Sequence, residues 1–133
     1  MRIICDTPIL LFWANAPTRL SPRASAALEQ GRAEGVLAIA DISLWELALL
    51  EERGRLQLPA DVPLVIYVRR LLEALRLEVL PITAEIAQLS RGSFFPHGDP
   101  ADRLIAATAL VGPYPLITAE ETLRRIHQLN VVW

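Results

Sequence analysis

The strongest constraint on this chain is the order in which short apolar runs alternate with stretches of helical spacing. Residues 2–5 read as a short buried strand, after which Asp6-Thr7-Pro8 turns the chain into an apolar segment at residues 9–13. Ser21-Pro22 is a helix start, Ser as N-cap and Pro at the first helical position, with the helix expected through about Gln30 and residues 31–35 ending it. Residues 36–40 form a second strand candidate, and Asp41 or Ser43 can cap the apolar helix that runs to Arg53-Gly54. Leu64, Tyr67, Val68, Leu71, Leu72 and Leu75 then recur at helical spacing. Residues 77–80 give a strand, 83–90 a helix, 91–98 an irregular loop, 101–111 a helix opened by Asp99-Pro100, 115–118 a strand, 120–128 a helix and 131–133 an edge strand. Such alternation favours parallel strands joined by right-handed crossovers, a three-layer α/β domain.

Composition narrows the classes. At 133 residues, 53% of them hydrophobic, the chain suits one domain over residues 1–133 with a core of its own. No apolar run approaches the ~20 residues of a membrane-spanning helix. Asp6 interrupts the stretch that a signal peptide would continue, so a cytoplasmic protein is expected. Cys5 is the single cysteine, which excludes an internal disulfide and a multi-cysteine zinc site and leaves a buried thiol as its default. All 13 basic residues are Arg. Receiver domains and haloacid-type phosphatases also place an Asp after a first strand, but their chemistry includes a Lys that this chain lacks. Arg forks suit phosphate oxygens. The net charge of −2 is not the basic footprint of a nucleic-acid binder. Counting Asp6, Glu46, Asp99, Asp102 and Glu120 as neutralised by metal turns it into +3, so net charge decides little.

Those five acids are the candidate site, and each also has a plain structural role. In open parallel sheets ligands bind beyond the carboxyl ends of the strands, where Asp6 and Glu120 fall, although an Asp after a strand also serves turns and caps. Between Ile42 and Leu50 only Ser43 and Glu46 are polar, so this helix is expected to bury nearly its whole circumference and to show one narrow polar stripe. Glu46 occupies that stripe, as a solvated residue or a functional one. Asp99 fits an N-cap with Pro100 at the first helical position, and Asp102 fits the third, where an acid can answer the cap. Arg103 can pair with Asp99 across one turn. A helix start exposing two carboxylates near Asp6 also suits a cation. Oxygen donors without a Cys/His cluster suit Mg²⁺ or Mn²⁺ rather than zinc. Thr7 and Thr118 sit beside the strand-end acids, where they can bond carboxylates or simply close turns. His97 reads as a solvent-exposed loop residue before it reads as a metal or phosphate ligand. Trp13, Trp45 and Trp133 read as core or interface aromatics, with no basic stripe around them to suggest base stacking. Arg69-Arg70 and Arg124-Arg125 read as solvated helix faces.

Taken together, IICDTPILLFW, LSPRASAALEQG, ISLWELALLEERGRLQLP, EVLPITAE, HGDPADRLIAATAL, PLITAEE and the closing VVW resemble PIN-domain ribonucleases, in particular VapC toxins of toxin–antitoxin pairs, over essentially the whole chain. The resemblance implies a three-layer α/β/α domain with a mostly parallel sheet of four or five strands, a homodimer, Mg²⁺ or Mn²⁺, an RNA substrate and an inhibiting antitoxin. Asp6, Glu46 and Asp102 match the family's first three acids, Asp99 the extra acid of a D-P-x-D-R subgroup, and Glu120 stands where relatives usually have Asp. By this match Asp6, Glu46, Asp99 and Asp102 are the expected metal-holding residues, with Glu120 a supporting catalytic acid. Pro8 stands where many relatives have His. Three functions compete at this point: a metal-dependent endoribonuclease, a catalytically silent PIN module that binds protein or RNA, and, weakened by the missing Lys, a small phosphatase.

Overall fold

The computed structural model describes residues 1–93, 95 and 98–133; His97, named above as a candidate, lies outside them. Among the described residues there are five strands, β1 (Ile3–Cys5), β2 (Leu37–Ala40), β3 (Glu78–Leu80), β4 (Leu116–Ile117) and β5 (Val131–Val132). All pair in parallel in the order β3-β2-β1-β4-β5, as the alternation of the sequence requires. Seven helices accompany them among the described residues: α1 (Thr7–Asn15), α2 (Pro22–Glu34), α3 (Ile42–Glu52), α4 (Leu64–Ala74), α5 (Ala84–Ser90), α6 (Pro100–Val111) and α7 (Glu121–Arg124). The chain steps outward from β1 to β2 and β3, then returns to β4 on the other side of β1. Strand order therefore reverses between β1 and β4, which is where an open sheet of this kind leaves a crevice.

The period-two alternation of strand side chains divides the core into two layers. Ile4, Ala38, Ala40 and Leu116 face one way and pack with Ile86, Ile105, Ala109 and Leu123 from α5, α6 and α7. Cys5, Leu37, Ile39 and Ile117 face the other way and pack with Ile9, Leu10, Leu28, Leu47 and Leu75 from the remaining helices and their ends. The Cys5 thiol is fully buried, and burial, with the adjacent Asp6 charge, pushes it up to about 12.

Four sequence expectations change. Asp6-Thr7-Pro8 is a helix start rather than a turn: extended Asp6 (φ −65°, ψ 151°) is the N-cap of α1 and its side chain accepts from the Thr7 N–H. Pro8 fits the first turn because that N–H has no intrahelical partner. Helix α2 passes through Gly31 and stops at Gly35, whose φ of 69° is the left-handed stop. Gly31 is there for close approach: a Cβ on it would stand 2.5 Å from Leu37 Cδ2. Helix α3 does not bury its circumference. Only Ser43 and Leu47 are buried, and Trp45 is 56% exposed. Last, α7 ends at Arg124, because Leu123, Ile126 and Leu129 all turn inward at a spacing of three, joined by the turn bonds Ile126 N–H to Leu123 O and Leu129 N–H to Ile126 O. Among the described residues no helix is long and apolar enough to cross a membrane.

Candidate active site

Asp6 is the centre of the arrangement. The β1–β4 ladder carries it to the switch point, where its N–H donates to Ile117 O at 3.0 Å. It is 3% exposed, and both carboxylate oxygens are held: Oδ1 accepts from Thr7 N–H at 2.9 Å and Oδ2 from the Thr118 hydroxyl at 2.7 Å. Thr118 Oγ1 in turn accepts the Glu120 N–H at 3.0 Å, which fixes the start of the segment bearing Glu120. The two threonines therefore bond the site, one alternative of the sequence reading.

Helix α3 brings Glu46 to the same place. Thr7 Oγ1 lies 2.8 Å from Ser43 Oγ and bonds Glu46 Oε1. A hydroxyl has one proton and an ionised carboxylate can only accept, so Thr7 donates to Glu46 and Ser43 donates to Thr7. Ser43 is thus a buried support of the site and not the cap of α3. Its spacing of three from Glu46, on one helix face, was the sequence signal for this. Asp41 does not cap α3 with its side chain either: Oδ2 accepts the Ile82 N–H at 3.1 Å, tying the end of β2 to the chain beyond β3, and Oδ1 is buried without a hydrogen-bond partner among the described residues.

Asp99 caps α6 as expected, with Oδ1 accepting from Ala101 N–H at 3.0 Å and Asp102 N–H at 3.4 Å. Asp102, one turn in, is half-buried. Arg103 donates Nε to Ser90 O at 2.7 Å and Nη2 to Gly92 O at 2.6 Å, fastening the end of α5 to α6. Glu120 is exposed and accepts from the Thr122 hydroxyl at 3.1 Å.

The five acids share one electrostatic environment. Burial raises Asp102 to about 8, helped by the charges of Asp6, Asp99, Glu46 and Glu120. Burial likewise raises Asp6 to about 6, against the Thr118 hydrogen bond, with Glu46 and Glu120 adding repulsion. Glu46 is raised by burial and by Asp99, against the Thr7 hydrogen bond. Acids from β1, α3, α6 and the segment after β4 thus converge, far apart in sequence but within one field. Among the described residues, however, no three His, Cys, Asp or Glu side chains already stand as a closed ligand set. The donor chemistry nonetheless fits a hard divalent cation: oxygen only, with an excess of crowded negative charge that such an ion relieves.

A family model for the PIN domain matches residues 3–129. The chain belongs to the PIN domain family. This PIN domain chain is 37% identical over 122 residues to Ribonuclease VapC22 of Mycobacterium tuberculosis, an alignment covering 92% of this chain and 89% of that protein. The PIN architecture also superposes on the crystal structure of VapBC2 from Rickettsia felis bound to a promoter DNA fragment, with a TM-score of 0.72 at 20% identity over 98% of this chain and 97% of that one. A toxin–antitoxin complex from Klebsiella pneumoniae (TM-score 0.64, 18% identity, 98% and 96% coverage) and FitAcB from Neisseria gonorrhoeae (0.62, 19%, 97% and 95%) share the fold.

Proposed function

We propose that this PIN domain, acting as one unit over residues 1–133, is a metal-dependent endoribonuclease and the toxin of a toxin–antitoxin pair. The observation that carries the reading is the gathering of Asp6, Glu46, Asp99, Asp102 and Glu120 around one strand-order switch, in a chain 37% identical to a ribonuclease. In this reading Asp6, Glu46, Asp99 and Asp102 would hold Mg²⁺ or Mn²⁺, with Glu120 supporting them. When bound, such an ion lowers the pKa of a coordinated water and offsets charge building on phosphodiester oxygens. The chain's own contribution is orientation: Thr118 and the Thr7 N–H fix both oxygens of Asp6, while Ser43 and the Thr7 hydroxyl fix Glu46. The toxin–antitoxin complexes among the structural neighbours support an antitoxin partner, and a homodimer working on RNA in the cytoplasm completes the proposal.

The test is cleavage of single-stranded RNA by purified protein with Mg²⁺ or Mn²⁺. Asp6→Asn should abolish it while leaving the far-ultraviolet circular dichroism unchanged. Equal cleavage by both proteins would defeat the proposal. The silent-module alternative draws on the absence of a preformed closed ligand set among the described residues. It requires no cleavage with either metal and no metal-dependent rise in Tm.

A further inference from the structure

The acidic site opens onto a cleft of about 610 Å³ formed by one side of α3, the loop after it and the start of α6. Ile42, Trp45 and Leu49 recur at spacings of three and four, so they line one face of α3, with Glu46 beside them and the C-cap Arg53 at its end. Trp45 is the one aromatic among the large hydrophobic side chains left exposed in the described residues. More than half of the Trp45 surface stays in water, so that part of its apolar area adds nothing to the core. Arg53 and Arg55, which border the same cleft, are exposed, and neither guanidinium makes a hydrogen bond or ion pair with a described residue. The basic groups that the sequence reading did not find around Trp45 lie just past the C-terminal end of α3, at its C-cap Arg53 and at Arg55 in the loop that follows.

We propose that this cleft is the subsite for an unpaired nucleotide flanking the bond to be cut, its base stacked on Trp45 and its neighbouring phosphates met by Arg53 and Arg55. The proposal rests on the ribonuclease reading and adds to it the residues that position the strand. Charge complementarity selects this occupant. A protein segment laid over Trp45 would have to satisfy two guanidiniums and the carboxylates of Glu46 and Asp99 at once. A nucleotide strand brings a π-face and phosphates in one ligand, and the phosphate nearest the acids can share their cation. The base must be unpaired, because bases inside a duplex do not offer a free face to a side chain.

The experiment uses the full chain in two arms. In the first, steady-state cleavage of a single-stranded RNA with Mn²⁺ is compared for wild type, Trp45→Ala, Trp45→Leu and Trp45→Phe. Loss of one stacked base should raise KM roughly 10-fold in the Ala and Leu variants, with kcat within about threefold, and Phe should restore most of the loss. In the second, binding of a single-stranded RNA oligonucleotide in EDTA, where metal-dependent cleavage does not run, is titrated at several salt concentrations. The double variant Arg53→Gln/Arg55→Gln should lower the slope of log affinity against log salt by about 1.4, near 0.7 per phosphate contact. Unchanged KM in Trp45→Ala and Trp45→Leu, or an unchanged salt slope, overturns the subsite. If wild type cleaves nothing yet Trp45→Ala still weakens oligonucleotide binding about 10-fold, the ribonuclease reading fails and the subsite stands. Unchanged RNA binding combined with lost binding of a protein partner assigns the cleft to protein and overturns the proposal.

Discussion

Thr118 uses its single hydroxyl in both directions, donating to Asp6 Oδ2 and accepting from the Glu120 N–H. Thr118→Val should therefore leave a buried carboxylate oxygen and a backbone N–H short of partners, at a cost of about 1–3 kcal/mol in urea unfolding, with cleavage reduced as well. Charge at the site runs against folding. Asp6 and Asp102 are raised from 3.8 to about 6 and about 8, so the folded state holds their protons more tightly than the unfolded state does. Their contribution to metal-free stability is therefore most favourable below the ordinary carboxylate value and declines as pH climbs through that value toward about 8. The difference in Tm between wild type and Asp102→Asn in EDTA isolates this contribution. Asp102→Asn should melt higher near the top of the window, where wild-type Asp102 ionises against four other acids, and the advantage should vanish near the bottom. A divalent ion replaces those protons, so the wild-type rise in Tm on adding Mn²⁺ should be larger near the top of the window than near the bottom.

Among the elements, α2 shows how packing overrides local preference. Ser21 accepts from Ala24 N–H at 3.1 Å, so Ser21→Ala should cost about 1 kcal/mol as a lost cap. Helix propensity alone would make Gly31→Ala stabilising by about 1 kcal/mol. The Cβ would meet the buried Leu37 side chain at 2.5 Å, so the expected outcome is destabilisation by about 1–3 kcal/mol in thermal or urea unfolding. The same contact explains why the glycine read as a stop in the sequence: a composition pattern cannot distinguish a residue small for its backbone conformation from one small for its neighbour. Helix α3 taught the converse. An apolar helix reads as buried, yet Trp45 faces a cleft, because the apolar pattern records what could be covered and not what is.

At the scale of the whole molecule, the alternation of elements made the five parallel strands and their approximate bounds legible, since strand and helix periods differ and parallel pairing demands crossovers. The convergence of Asp6, Glu46, Asp99, Asp102 and Glu120 was legible only in part. Asp6 and Asp99 could be placed at a strand end and a helix start from their neighbours, whereas the meeting of α3 and α6 beside β1 is set by strand order, which local pattern does not encode. Ser43 and Glu46 could be placed on one face of α3 from their spacing, but the hydroxyl of Thr7 that joins them comes from 36 and 39 residues away, and that contact leaves no periodic trace. The central claim is that these separated acids share one divalent ion, and Mn²⁺ binding followed by electron paramagnetic resonance tests it without requiring turnover. Wild type should bind Mn²⁺ saturably, and Asp6→Asn and Asp102→Asn should each lose at least about 10-fold in affinity while remaining folded, as expected when one shared ligand set is broken. Binding of Mn²⁺ by both folded variants with wild-type affinity would contradict it.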